Sequence, residues 1–427
     1  MIPVVRPEQL STRRKVEDGE AYQEKTVREI LSAVRTEGDV ALLRVTRELD
    51  GADLDSLEVE KSEFEEAYRQ VEQTFVHSLR QAAQRIRRYH EGQKRRSWME
   101  TETDGTVLGQ LIRPLARVGV YVPGGRAAYP SSVLMNVIPA SVAGVEEVVM
   151  VTPPRPGGDV HAATLVAAQE AGVDRVLKVG GAQAVAALAW GTESVPAVDK
   201  IVGPGNIYVA LAKRWVYGQV DIDMVAGPSE IVVVADESAD PAYVAADLLS
   251  QAEHDPMASP VLLTPSSPLA ESVVLELEQQ CDRLERKGIA SQSIREQGAI
   301  CLTEDLDEAL EVANRLAPEH LELMVADPWS WVGRVKNAGA LFLGPWSPEP
   351  VGDYFAGPNH ILPTNGTARF FSPLGVDDFL KKTSLISYSR EALARDAEHV
   401  ITLAEAEGLT AHAASIRTRM IKGEENG

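Results

Sequence analysis

From Tyr22 to about Glu100, apolar residues recur three and four positions apart among charged ones, as in EKTVREILSAVRTEGDVALLRVTREL, a spacing that predicts amphipathic helices. Beyond this stretch the period changes. Short β-branched runs alternate with Ala-rich helical segments: RVGVYV (117–122), EEVVMVTP (146–153), RVLKVG (175–180), KIVGPG (200–205), EIVVVAD (230–236), PVLLT (260–264), GAICLT (298–303) and GALFLG (339–344). Continuous apolar strands separated by helices mark parallel sheets covered by crossover helices. The junctions YVPGG (121–125) and AGPSE (226–230) bracket a self-contained βα block. The pattern therefore predicts an α/β protein with two Rossmann-like parallel-sheet domains, one inserted in the other, and helical N- and C-terminal regions. Residues 1–25 are expected as a helical extension, 26–120 with 230–373 as a discontinuous main domain, 121–229 as the inserted domain, and 374–427 as a helical tail broken at Gly408.

Charge narrows the choice of partners. The 427 residues carry a formal charge of −21, a field that repels nucleic-acid phosphates and anionic lipid. The one basic cluster, Arg85 to Arg96, has the spacing of a solvated helix face. Cys281 and Cys301 match no disulfide or thiolate-zinc framework, which fits a reducing compartment. The first twenty residues lack the apolar core of a signal peptide, and Val133 to Val145 is short and interrupted by Asn136 and Pro139. A soluble, cytoplasmic protein that binds neither nucleic acid nor membrane is expected.

Four histidines stand beside acids, amides or glycine turns. In DPAYVAADLLSQAEHDP, Asp240 can cap and Pro241 can open a helix with Val244, Ala245, Leu248 and Leu249 as its buried stripe, which leaves Gln251 and His254 together at its end. The long loop 344–369 holds Asp353 and His360. Glu407 and His412 flank the break at Gly408. Such a mixed set of histidine, carboxylate and amide suits zinc with an open position, although each piece alone also reads as a cap or a turn. Glu319 and His320 in NRLAPEHLEL read either as a proton-transfer pair with diverging side chains or as an ordinary acidic helix N-terminus. The GxGxxG fingerprint is absent; YVPGGR, VGGAQAVAAL and VGPGN are glycine turns at strand-to-helix junctions, where open α/β sheets bind nucleotides.

The motifs YVPGG, VGGAQA, GPGNIYV, IDMVAGPSE, LLSQAEHDP, APEHLEL, VGDYFAGPNHILPTNGTARF and EGLTAHA, in this order and spacing, closely resemble those of the histidinol dehydrogenase family over residues 20 to 420. The resemblance implies oxidation of L-histidinol to L-histidine through an enzyme-held aldehyde, in two hydride transfers to two NAD, the last step of histidine biosynthesis. It implies zinc held by Gln251, His254, Asp353 and His412, and Glu319 with His320 as the acid/base pair. It further implies substrate contacts from Ser229, His360 and Glu407, and from the zinc ligands and His320. The same resemblance gives NAD contacts from Tyr121, Gln183 and Asn206, and a homodimer whose tails complete each other's sites. Another zinc- and NAD-dependent amino-alcohol dehydrogenase of the same family, a thiol-dependent aldehyde dehydrogenase, a zinc hydrolase and a non-catalytic binder are the alternatives.

Overall fold

The computed structural model of the chain describes residues 2–10, 21–124, 128–225 and 227–425. Along the chain come β1 (Val4–Val5), four helices, α1 (Ala21–Glu37), α2 (Asp39–Asp50), α3 (Lys61–Gln70) and α4 (Gln73–Glu91), then β2 (Trp98–Thr101) and β3 (Val107–Pro114). Alternation follows through β4 (Arg117–Tyr121), α5 (Pro130–Ala143), β5 (Glu147–Thr152), α6 (Ala162–Ala171), β6 (Arg175–Lys178), α7 (Gly181–Trp190), β7 (Lys200–Val202), α8 (Ile207–Val216) and β8 (Asp221–Ile222). A second series gives β9 (Glu230–Ala235), α9 (Pro241–Ala252), β10 (Ser259–Thr264), α10 (Ser267–Cys281), α11 (Lys287–Glu296), β11 (Ala299–Leu302), α12 (Leu306–Leu316), β12 (His320–Met324) and β13 (Ala340–Leu343). The chain closes with α13 (Glu349–Tyr354), β14 (Leu380–Ser387), α14 (Arg390–Ala406) and α15 (Thr410–Glu425).

Two compact units result, Met1–Lys94 with Leu115–Phe379, and Arg95–Pro114 with Leu380–Gly427. The first unit contains two parallel sheets, ordered β6-β5-β4-β7-β8 and β1-β11-β10-β9-β12-β13. Apart from the short edge strand β1, both run outward for two strands from a central first strand and then cross to its other side. That reversal falls between β4 and β7 in one sheet and between β9 and β12 in the other. All eight strand segments expected from the β-branched runs are present. Their side chains are buried on both faces, as in Ile231, Val233, Val149 and Val151, which explains their unbroken apolar sequence.

The N-terminal helices depart from the expected partition. Val27, Leu31, Val34, Leu42 and Leu57 share a core with Val149, Leu177 and Leu188, so α1 and α2 cover the β4–β8 sheet rather than the later one. Backbone bonds from Val59 N to Val176 O and from Lys178 N to Leu57 O tie this segment to β6. Within the expected helical extension 1–25, Val4–Val5 is a strand paired with Ile300 and Cys301, and residues 11–20 lie outside the described ones.

The second unit is a three-stranded antiparallel sheet, β14-β3-β2, with α14 and α15. The tail expected to be helical from residue 374 thus includes a strand, whose LKKTSLIS pairs from Leu380 with Pro114 to Ser387 with Val107. Gly408 adopts a left-handed φ of +75° between the two helices, which breaks them where expected. Among the described residues, no helix is long and apolar enough to cross a membrane.

Candidate active site

The helix α9 starts as its sequence dictates: the Asp240 carboxylate accepts the N–H of Ala242 at 2.9 Å, Pro241 follows, and Val244, Ala245, Leu248 and Leu249 are buried. As the crossover after β9, it returns the chain to the amino ends of the parallel strands. There Gln251 ends its last turn, and the N–H of His254 bonds back to the Gln251 carbonyl at 3.1 Å.

The next piece differs from its helical reading. Ala317, at a left-handed φ of 51°, terminates α12, and Pro318 leads into β12, which inserts between β9 and β13. Glu319 therefore precedes a strand whose first residue is His320. Their side chains converge rather than flank a point, with Glu319 Oε2 3.6 Å from His320 Nδ1. Both are fastened to Glu230 at the start of β9. Its N–H donates to Glu319 Oε2 at 2.9 Å, and its carbonyl accepts from His320 Nδ1 at 2.9 Å. The Gln251 amide nitrogen lies 3.4 Å from that same ring nitrogen. With the proton on Nδ1, the Nε2 of His320 is left buried and without a hydrogen-bond partner.

The loop 344–369 contains one turn of helix, α13, which places Glu349 and Asp353 four residues apart on one face. Their carboxylates, Glu349 Oε1 and Asp353 Oδ1, each stand 3.8 Å from His320 Nε2. His360 donates from Nδ1 to the Asp353 carbonyl at 3.0 Å, and its Nε2 is 3.4 Å from Ser132 Oγ on α5. Glu349 and the backbone role of Glu230 were not anticipated. The acid pair in EPVGD, at helical spacing, was the available signal for the first.

Burial sets the protonation states. Desolvation raises Glu319 to about 7 and Glu349 to about 8, the latter aided by the negative charge of Asp353. It would also suppress the His320 imidazolium, but Glu319, Asp353 and Glu349 outweigh it and lift His320 to about 10. Asp353 is held down to about 2 against its own burial by His320 and His360. Desolvation lowers both His254 and His360. His320, Glu349 and Asp353 present ligand atoms within 4.8 Å of one another, and the buried Gln251 Oε1 and Glu349 Oε1 lack partners. Nitrogen and oxygen donors in this arrangement fit a divalent cation.

These groups open into a cleft of about 840 Å³, lined also by Ser229, His254, His360 and the turn Gly203–Pro204–Gly205. Of the three residues expected to touch a dinucleotide, Tyr121 is buried and its hydroxyl accepts the Gly181 N–H at 3.0 Å. Gln183 is buried with both amide atoms unpartnered. Asn206 caps α8, accepting from Tyr208 and Val209. Gly125 and Arg126 of the YVPGGR turn, with Ala127 after them, lie outside the described residues. Glu407 and His412 belong to the second unit, where both are exposed. Cys301 is buried in β11 with its thiol pushed up to about 11, and Cys281 Sγ lies 3.3 Å from Ser291 Oγ.

Comparison with known proteins agrees with this architecture. A family model described as histidinol dehydrogenase matches residues 12–420. Histidinol dehydrogenase of Halalkalibacterium halodurans is 59% identical over 411 residues, covering 96% of this chain and 97% of that protein. That of Moorella thermoacetica is 59% identical over 395 residues, covering 92% and 93%. The crystal structure of histidinol dehydrogenase from Elizabethkingia anophelis superposes with a TM-score of 0.92 at 36% identity, covering 97% of this chain and 95% of that one. With matches of this extent, the chain belongs to the histidinol dehydrogenase family, a family of oxidoreductases.

Proposed function

We propose that the chain catalyses the zinc-dependent, NAD-linked, four-electron oxidation of L-histidinol to L-histidine through L-histidinaldehyde, the closing step of histidine biosynthesis. The observation that carries this reading is the pairing in one cleft of a buried imidazole, His320, having a free Nε2, with a carboxyl, Glu319, poised near neutrality. Two proton transfers of different kind need two such groups.

Gln251, His254 and Asp353 would hold the zinc, with His412 as the fourth protein ligand. A cation there supplies Lewis acidity and a fixed seat for the substrate's amino and imidazole nitrogens. Ser229, His360 and Glu407 contact the rest of the substrate, and the turn 203–205, with Tyr121, Gln183 and Asn206 around it, receives NAD. With Asp353 engaged as a ligand, one of the carboxylates favouring the imidazolium is withdrawn, and His320 Nε2 is free to accept a proton. It takes the carbinol O–H proton as hydride leaves the carbon for the nicotinamide. Glu319 then takes a proton from water as the oxygen adds to the aldehyde, and His320 returns its proton to the former carbonyl oxygen, which leaves a neutral hydrate and a neutral imidazole. The resulting hydrate loses its second hydride to a second NAD, and His320 again accepts the hydroxyl proton. The acid product ionises to the carboxylate. Glu407 and His412 are assigned to the site of a second copy, which makes the working assembly a homodimer in the cytoplasm.

The test follows NADH and histidine together in a reaction of histidinol with NAD, before and after chelation. Two NADH per histidine, lost on chelation and restored by zinc, are expected. One NADH per turnover with aldehyde accumulating, or full turnover by verified metal-free protein, would overturn the reading.

A further inference from the structure

We infer that the buried ion pair of Lys213 and Asp223 positions the dinucleotide side of the cleft, and that affinity for a nicotinamide dinucleotide depends on it. This rests on the dinucleotide reading above.

Side chains of a helix lean toward its N-terminus, so Lys213 on α8 reaches back to the turn that precedes the helix. There its ammonium pairs with the Asp223 carboxylate and donates to the Gly203 carbonyl at 3.0 Å. Asp223, directly after β8, accepts the Gly203 N–H at 2.7 Å and the Met224 N–H at 2.6 Å. The two side chains are 3% and 1% exposed.

One ion pair thus holds both backbone groups of Gly203. This residue sits at φ +110°, and a Cβ on it would stand 2.1 Å from the Tyr121 carbonyl oxygen. Tyr121 ends β4 and Gly203 follows β7, so the clamp lies where the strand order reverses, the place at which open α/β sheets take their ligands. Asp223 and Met224 also begin the linker to β9, of which Val225, Gly227, Pro228 and Ser229 line the same cleft with them. One pair of charges therefore holds both the turn and the start of the linker, each of which lines the cleft. Apolar side chains in those two places would pack without desolvating charge, but they could make none of the three backbone bonds.

The test compares NADH binding by fluorescence titration, steady-state kinetics and thermal stability for Asp223→Asn, Lys213→Met and the double variant Lys213→Met with Asp223→Leu. Asp223→Asn keeps one acceptor oxygen, replaces the other by an amide donor that can serve neither the Gly203 nor the Met224 N–H, and loses the charge. For the single variants, the NADH Kd and the KM for NAD are expected to rise by about tenfold or more, with kcat and the KM for histidinol much less affected. The double variant is expected to regain much of the Tm lost by either single variant, because no charge is left buried without its partner, yet to keep its weakened NADH binding. Wild-type NADH affinity in the folded double variant would show the pair to be structural only and overturn the inference. If the wild-type chain itself takes up no NADH, the dinucleotide reading falls, and this inference with it. NADH binding by the wild type and undiminished binding by Asp223→Asn would overturn the inference alone.

Discussion

The Nδ1 of His320 donates to the backbone carbonyl of Glu230 at 2.9 Å, a bond between the first residues of two neighbouring strands. It fixes the tautomer with an accuracy that a side-chain partner on a loop would not give, because sheet pairing sets the position of the carbonyl. The half-reactions should therefore separate by residue. His320→Asn is expected to lose roughly 10²–10⁴-fold in both histidinol and histidinal oxidation, whereas Glu319→Gln should lose this much only with histidinal. Rapid-quench assays with each substrate make the comparison; equal losses for Glu319→Gln would contradict the division.

Metal retention offers a second check. Asp353→Ala removes a carboxylate that stands beside His320 and His360, and is expected to leave protein with well under a tenth of the wild-type zinc after dialysis, measured by mass spectrometry. Acidification should release zinc from the wild type too, since an imidazole that ligates, as proposed for His254, must be neutral. Retention of full zinc by Asp353→Ala would remove that residue from the ligand set.

Asp50, the last residue of α2, has a buried Oδ2 without a partner, and burial raises its carboxyl to about 6. A folded-state pKa above the unfolded value means that the native state holds the proton more tightly. Its contribution is therefore a penalty that grows as pH rises from the ordinary carboxyl range through about 6, and is constant above. Discounted for partial exposure, the penalty is about 1 kcal/mol near neutrality. Asp50→Asn should raise Tm by about 1–2 °C at pH 8, and by roughly half of that at pH 5. A uniform shift at both pH values would rule out this origin.

Joint replacement of Cys281 and Cys301 by alanine should preserve most of the activity. The first thiol faces Ser291 and the second is closed in β11, raised to about 11, so neither provides a thiolate for aldehyde chemistry. A folded double variant that oxidises histidinol but not histidinal would restore the thiol mechanism.

The proposed exchange of tails predicts complementation. His320→Ala and His412→Ala, each nearly inactive, are expected to regain activity when refolded together, because mixed dimers would hold one intact site. Failure of mixed dimers to turn over would place His412 in the site of its own chain.

How much of this was legible in the sequence depended on burial. Strands closed on both faces, such as EIVVVA and VVMV, announce themselves as unbroken apolar runs. The strands β2 and β14 expose most of their residues, and LKKTSLIS offers no apolar face to read. β12 was obscured because HLELM carries Glu322, 1% exposed and raised well above the carboxylate range by desolvation. Motif residues could be named because their motifs resemble those of the family. The backbone groups of Glu230 could not, since any residue type supplies them.

The two sheets share a strand order but not an edge. The cleft lies beyond the carboxyl ends of β4 and β7, yet at the amino ends of β9 and β12. The opposite rim of the second sheet, where Ala235, Thr264, Leu302 and Met324 end their strands, is a strand's length away, roughly 17–20 Å. Its loops are spared the chemistry, so they can lengthen, vary or accept a grafted segment while turnover continues. Engineering of this scaffold, for a tag, a tether or a reporter, has its permissive face there.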